Sequence, residues 1–283
     1  MKKKLSSILI GAIFLVGFGI MIYPALSNLY SEHNQIEAIN KYEKVVEDMT
    51  DDEIEQAKEL AQEYNEHLIG NVIITDPFDV DAQRELSKEY EGLLNIDGDG
   101  IMGYVDIPKI EVNLAIYHGT EEEVLQKGVG HLENTSLPIG GEGTHTVLSG
   151  HTGLPTAKLF NGLSDLEEGD KFYLNILGET LAYEVDQIKV VEPHDTSDLL
   201  IDSTKDYATL VTCTPYGVNS HRLLVRGSRI PYVEKENEVV TTNNINTWVT
   251  EYKQALIIGV CGLIIILFII WLLFKGNKKR KGV

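Results

Sequence analysis

The chain has 283 residues, of which 43 are acidic and 24 basic, for a formal net charge of −19. Such a balance excludes nucleic acid as a natural partner, because phosphate backbones need a positive surface. Two cysteines, Cys213 and Cys261, are too few for a disulfide framework.

Residues 1–26 open with Lys2, Lys3 and Lys4 and continue as a nearly uncharged run from Leu5 to Leu26. At about 1.5 Å rise per residue, twenty such residues span the ~30 Å hydrocarbon core of a bilayer. The segment reads as a cytoplasmic tail and membrane anchor, or as a signal sequence cleaved near Ala25 and Ser27. Residues 27–95 form a helical arm and a connecting segment. Thr50 and Glu53 fit a capping box, and Ile54, Ala57, Ala61, Tyr64 and Leu68 recur on one helical face before a stop at Gly70. Asn95, Asp97, Asp99 and Gly100 resemble half of a calcium loop, but Asp106 stands where a bidentate Glu is expected and inside a predicted strand. The segment therefore reads as a turn, with no metal.

From residue 96 to 231 the texture is that of short strands between Gly, Pro, Asn and Asp turns. Strands are expected at Gly103–Ile107, Val112–Ile116, Thr146–Ser149, Lys171–Ile176, Leu181–Val191, Ala208–Cys213 and Arg222–Gly227. Seven or eight such strands make a mainly β fold, a compact barrel or sandwich. Residues 232–254 are a polar tether, and 255–274 are an uncharged stretch long enough to span a bilayer. Residues 275–283 are a basic tail with Lys275, Lys278, Lys279, Arg280 and Lys281. With basic residues at both ends, both tails are expected inside and the acidic middle outside the cell membrane.

Cys261 falls in the second apolar stretch, so the exported middle carries a single thiol, Cys213, either inert or reactive. The strand ending at Cys213 is followed by a turn, Thr214-Pro215-Tyr216-Gly217, and a returning strand that starts at Arg222. An antiparallel hairpin would place Cys213 and Arg222 at the same end. A guanidinium there lowers a thiol pKa or stabilises an oxyanion. A cysteine nucleophile also needs a proton carrier, most often His. His33 and His67 lie in the arm, and strand alternation turns His221 away from the Arg222 side. His151, between Gly150 and Gly153, is best placed to be exposed on a turn, while spacing leaves His118, His131, His145 and His194 open.

The run from Thr209 to Gly227, with Cys213 and Arg222, resembles the sortase signature, and Leu148-Ser149-Gly150-His151-Thr152-Gly153 resembles the segment that carries the sortase histidine. The resemblance extends over residues 71–231. It implies an eight-stranded sortase barrel with Cys213, His151 and Arg222 as the catalytic trio and no cofactor. Thr152 stands where related sequences often carry a basic residue. The tripeptide Asp76-Pro77-Phe78 and the second apolar stretch resemble the pilin-polymerising class C branch, in which the tripeptide belongs to a lid over the empty site. Proline stiffens such a turn, so Asp76 is expected to pair with Arg222 and Phe78 to cover Cys213. The implied substrates are exported pilin or surface proteins with an LPXTG-like sorting signal. The implied acceptor is a lysine amine of a pilin subunit, with attachment of surface proteins to the cell wall as the alternative.

Overall fold

The computed structural model describes residues 2–68, 73–79, 86–233, 257, 261 and 262. The expected stop at Gly70, the tether beyond residue 233, all but three residues of the second apolar stretch and the basic tail lie outside the described residues. The chain divides into two compact units, one of residues 31–237 and one that includes residues 1–30.

Helix α1 spans Lys2–Asp48, with Pro24 inside it. From Gly11 onward it is long and apolar enough to cross a membrane, judged by length and composition. The arm is thus not a separate helix at its start, but a continuation of the apolar segment. It breaks at Met49 and Thr50 and resumes as α2, Asp51–His67. The break is a capping box: Thr50 N donates to Glu53 Oε2 at 2.8 Å and Glu53 N donates to Thr50 Oγ1 at 3.3 Å. Asp51, Asp52 and Glu53 add negative charge where the helix dipole is positive.

The expected apolar face of α2 is the packed one. Ala61 is fully buried in the main core, and Ile54, Ala57 and Tyr64 pack against it. Asn65 fixes the docking, because its amide donates to Leu137 O at 3.2 Å while its Oδ1 accepts from Leu137 N at 2.7 Å. Substituting Asn65→Leu leaves the buried Leu137 N–H without its partner, at a cost of ~1–3 kcal/mol, while Leu137 O still accepts from Ile139 N at 2.8 Å. A loss of about 1–3 kcal/mol in urea unfolding is expected. An unchanged midpoint would show that the arm adds nothing to the stability of the barrel.

Helix α3, Lys88–Gly92, leads into the barrel. Its strands are β1 Ile101–Ile107, β2 Val112–His118, β3 Val129–His131, β4 Thr144–Ser149, β5 Lys171–Ile176, β6 Glu179–Val191, β7 Asp206–Thr214 and β8 His221–Ile230. They close in the order β1-β2-β3-β4-β7-β8-β6-β5. Seven of these strands were expected from the sequence. β3 was not, since three residues centred on one glycine carry no readable alternation. It pairs parallel to β2 and antiparallel to β4, and a side chain at Gly130 would strike Gly119 O, so only glycine allows that approach. The core inside the barrel includes Met102, Val105, Ile116, Leu148, Phe172, Leu174, Leu210 and Val225.

The segment before β1 is the expected turn. Asp99 N and Gly100 N donate to Asp97 Oδ1 and Asn95 Oδ1, both at 2.9 Å, and Lys41 faces the Asp97 and Asp99 carboxylates. Asp106 sits buried on β1, where burial pushes its carboxyl up to about 6.

Candidate active site

Two strand pairings build the site. β7 and β8 are antiparallel, in a register that places Cys213 directly across from Arg222. β4 and β7 are parallel, with Ser149 level with Val211. Continuing that register by two residues brings His151 beside Cys213. The chain is held there by Gly150 N donating to Val211 O at 3.1 Å and Thr212 Oγ1 donating to Gly150 O at 2.7 Å. Gly153, at φ +81°, then turns the chain in a conformation that side-chain-bearing residues rarely adopt.

Cys213 and Arg222 are each 8% exposed. Burial raises the Cys213 thiol pKa, Arg222 pulls it down, and Asp76 pushes it up again. Arg222 Nη1 donates to Asn219 O and His221 O, at 3.2 and 3.1 Å, which fixes the plane of the guanidinium. Its other edge meets Asp76: Nε to Oδ1 at 2.7 Å and Nη2 to Oδ2 at 2.5 Å. The ring of Phe78 lies between Arg222, 5.1 Å from its centroid, and the His151 ring, 5.7 Å away. Phe78 thus meets both Arg222 and His151, and it also packs on the apolar cluster that includes Val147, Val211 and Leu224. Asp76 also accepts from Phe78 N at 3.3 Å, which tightens the turn, and Thr196 Oγ1 donates to Ile74 O at 3.2 Å at the base of the segment.

The remaining histidines sort by environment. His131 is fully buried between Tyr90 and Ser136 O, and burial lowers its pKa to about 3. His145 bridges Leu200 O and Thr209 Oγ1, with its pKa lowered to about 4, chiefly by burial. His118 contacts the carbonyls of Gly100 and Leu93. These three are ties within the fold. His33, His67 and His194 are exposed. His221 contacts Ser220 Oγ.

Two neighbours of the site were not singled out from the sequence. Glu122, in the short helix α4, Glu122–Leu125, places Oε2 3.3 Å from His151 Nε2. In sequence it belongs to an acidic run that reads as a solvated face. Asn161 Oδ1 accepts from Thr152 Oγ1 at 3.1 Å and Gly153 N at 2.6 Å, and so braces the turn after His151. Nothing in the sequence marks it.

The closed eight-stranded barrel agrees with what known proteins show. The sortase-domain family profile matches residues 105–230. The chain belongs to the sortase family, whose members are cysteine transpeptidases. Within it, the chain is most usefully compared with class C structures. Sortase C-1 from Streptococcus pneumoniae is 50% identical, with a TM-score of 0.66, and the match covers 70% of this chain and 100% of that one. Sortase C1 of GBS pilus island 1 is 47% identical, with a TM-score of 0.62, and 71% and 94% are covered. Sortase D of Bacillus subtilis is 34% identical over 131 residues, a stretch that is 45% of this chain and 63% of that relative.

Proposed function

We propose that this sortase cleaves an LPXTG-like sorting signal between Thr and Gly and passes the acyl group to a lysine amine of a pilin subunit, so polymerising pili at the outer face of the cell membrane. Cys213 attacks the Thr carbonyl, while Arg222 and a backbone N–H hold the oxyanion. His151 gives a proton to the departing amine, and the thioester retains the acyl energy, so no ATP is needed. The incoming lysine amine then attacks the thioester, its proton passing to His151, and Cys213 is released. The apolar part of α1 serves as the anchor. The second apolar stretch at 255–274 adds another span.

The observation that carries the reading is the register of Cys213 against Arg222, with Asp76 and Phe78 seated on the guanidinium. The name of one relative supports the pilus assignment: the GBS structure is described as a pilus-island sortase. The test is to incubate the enzyme with an LPXTG peptide and look for a hydroxylamine-sensitive adduct on Cys213. A pilin lysine should then take up the acyl group. No adduct on a folded enzyme refutes the reading.

The Asp76-Pro77-Phe78 segment acts as a lid that substrate must displace. The Arg222–Asp76 pair is bidentate and its side chains are only 10% and 8% exposed, so it holds more firmly than a surface ion pair. Hydrogen bonds to charged groups contribute ~1.5–3 kcal/mol, and each 1.4 kcal/mol is about tenfold in an equilibrium. In the double variant Asp76→Ala, Phe78→Ala, alkylation of Cys213 by a small thiol reagent should quicken by about tenfold or more. Loss of Asp76 works in the same direction on the thiol, because Asp76 raises the Cys213 pKa. More thiolate is then present at neutral pH. Equal alkylation rates in the variant and the parent would reduce the tripeptide to an ordinary turn.

A further inference from the structure

The lid covers only one side of Cys213. Val147, Val211 and Leu224, against which Phe78 and Ile74 pack, alternate along their strands with the core residues Leu148, Leu210 and Leu223. The lid therefore lies on the outer wall of the barrel. A separate cleft of about 220 Å³ reaches Cys213 at the mouth of the barrel, between the β4–β5 and β7–β8 connections. Its floor is buried Phe160 and Leu163, and its rim is Thr152, Asn161, Ser164 and Tyr216. Neither Asp76 nor Phe78 lines it. The volume is many times the roughly 10–15 Å³ that one water requires, so an extended side chain fits.

No formally charged residue lines this cleft, although the chain is strongly acidic. An apolar floor with a hydroxyl and amide rim suits an aliphatic stem ending in a polar tip. The absence of a carboxylate matters chemically. A lysine attacks a thioester only as the neutral amine, desolvation disfavours the ammonium form, and a nearby carboxylate would restore it.

We infer that this uncharged cleft is the entry for the acceptor amine, distinct from the lid-covered wall used by the sorting signal, and that it admits the lysine in its neutral form. The inference rests on the transpeptidation proposed above. The ammonium gives its first proton to solvent on entry. The amine nitrogen then bonds to the acyl carbon as the C–S bond breaks, the second proton passes through His151, and Cys213 leaves as the thiol. The side chain of Thr152 at the rim adds no charge to this path.

The test is the partition of one acyl-enzyme between aminolysis and hydrolysis, with an LPXTG peptide as donor and Nα-acetyl-lysine amide as acceptor. This ratio depends only on steps after the thioester forms. Asn161→Asp retains an oxygen that can accept from Thr152 and Gly153 but places a carboxylate in the cleft. The ratio of aminolysis to hydrolysis should fall about tenfold near neutral pH and recover as pH rises by about one unit, since one unit is a tenfold change in neutral amine. Ser164→Trp, which fills the rim, should lower the ratio at every pH. Unchanged ratios in both variants, with the adduct still forming, would overturn the cleft assignment. So would slower acylation at an unchanged ratio, since the cleft would then belong to the donor. Failure of the parent enzyme to form any adduct would overturn the proposed function, and this inference with it.

Discussion

Cys213→Ala is expected to lower cleavage of the sorting signal by about 10⁴-fold or more, to the level of the uncatalysed background, while the fold persists. Without the sulfur there is no covalent intermediate, and the route that divides amide exchange into two smaller barriers is closed. Removal of one member of a group that acts as a unit costs nearly as much as removal of all of them. Cys213 lies one residue before the end of β7, whose backbone pairing with β8 does not involve its side chain, so circular dichroism and the melting temperature should be close to those of the parent. Cleavage clearly above background in a folded Cys213→Ala protein would mean that some other group attacks the peptide.

Arg222→Lys and His151→Ala should each be severely impaired, for different reasons. Arg222 has one edge tied to the carbonyls of Asn219 and His221, and the other directed at a carboxylate. On the proposed mechanism, Asp76 takes the side of Arg222 where negative charge would develop on an attacked carbonyl. A lysine ammonium offers a point charge, without the fixed fork that meets two oxygens at once. Loss of an oxyanion donor costs about 10²–10³ in rate, and loss of a proton carrier about 10²–10⁴. Single-turnover acylation of the variants would measure both. His221→Ala is the control: its contribution to Arg222 is a backbone carbonyl, which the substitution keeps, and its turnover should fall only a few-fold. Near-parent turnover in Arg222→Lys would leave Arg222 a structural residue and the oxyanion role unassigned.

The parts of the site that were legible in the sequence are those joined by short stretches of chain. Cys213 and Arg222 flank one hairpin loop, so local reasoning alone put them at the same end, and the register places them opposite each other. The partnership of Thr50 and Glu53 was readable for the same reason. His151 is different. Its place level with Cys213 depends on parallel pairing of β4 with β7, strands separated by more than fifty residues and two intervening strands; the glycines around it made it the best placed of the histidines, and resemblance decided the choice. The proposed lid lies further still, with Asp76 and Arg222 146 positions apart in the chain. Glu122 and Asn161 escaped notice because what they do depends on where two loops end, not on any pattern around them. β3 escaped because a strand of three residues is shorter than the period needed to recognise it.

The proposed lid is also a ligand fastened to its own receptor. Asp76 and Arg222 belong to one chain, so they meet at an effective concentration independent of how much enzyme is present, on the order of millimolar for a short tether. The covered fraction is therefore the same in a dilute solution as in a dense patch of enzyme on a membrane. A contact too weak to hold a free tripeptide is enough to keep the tethered one in place. Under the proposed function a sorting signal would have to compete with that local concentration, whereas free Asp-Pro-Phe peptide added to a lidless enzyme would restore protection only near millimolar levels.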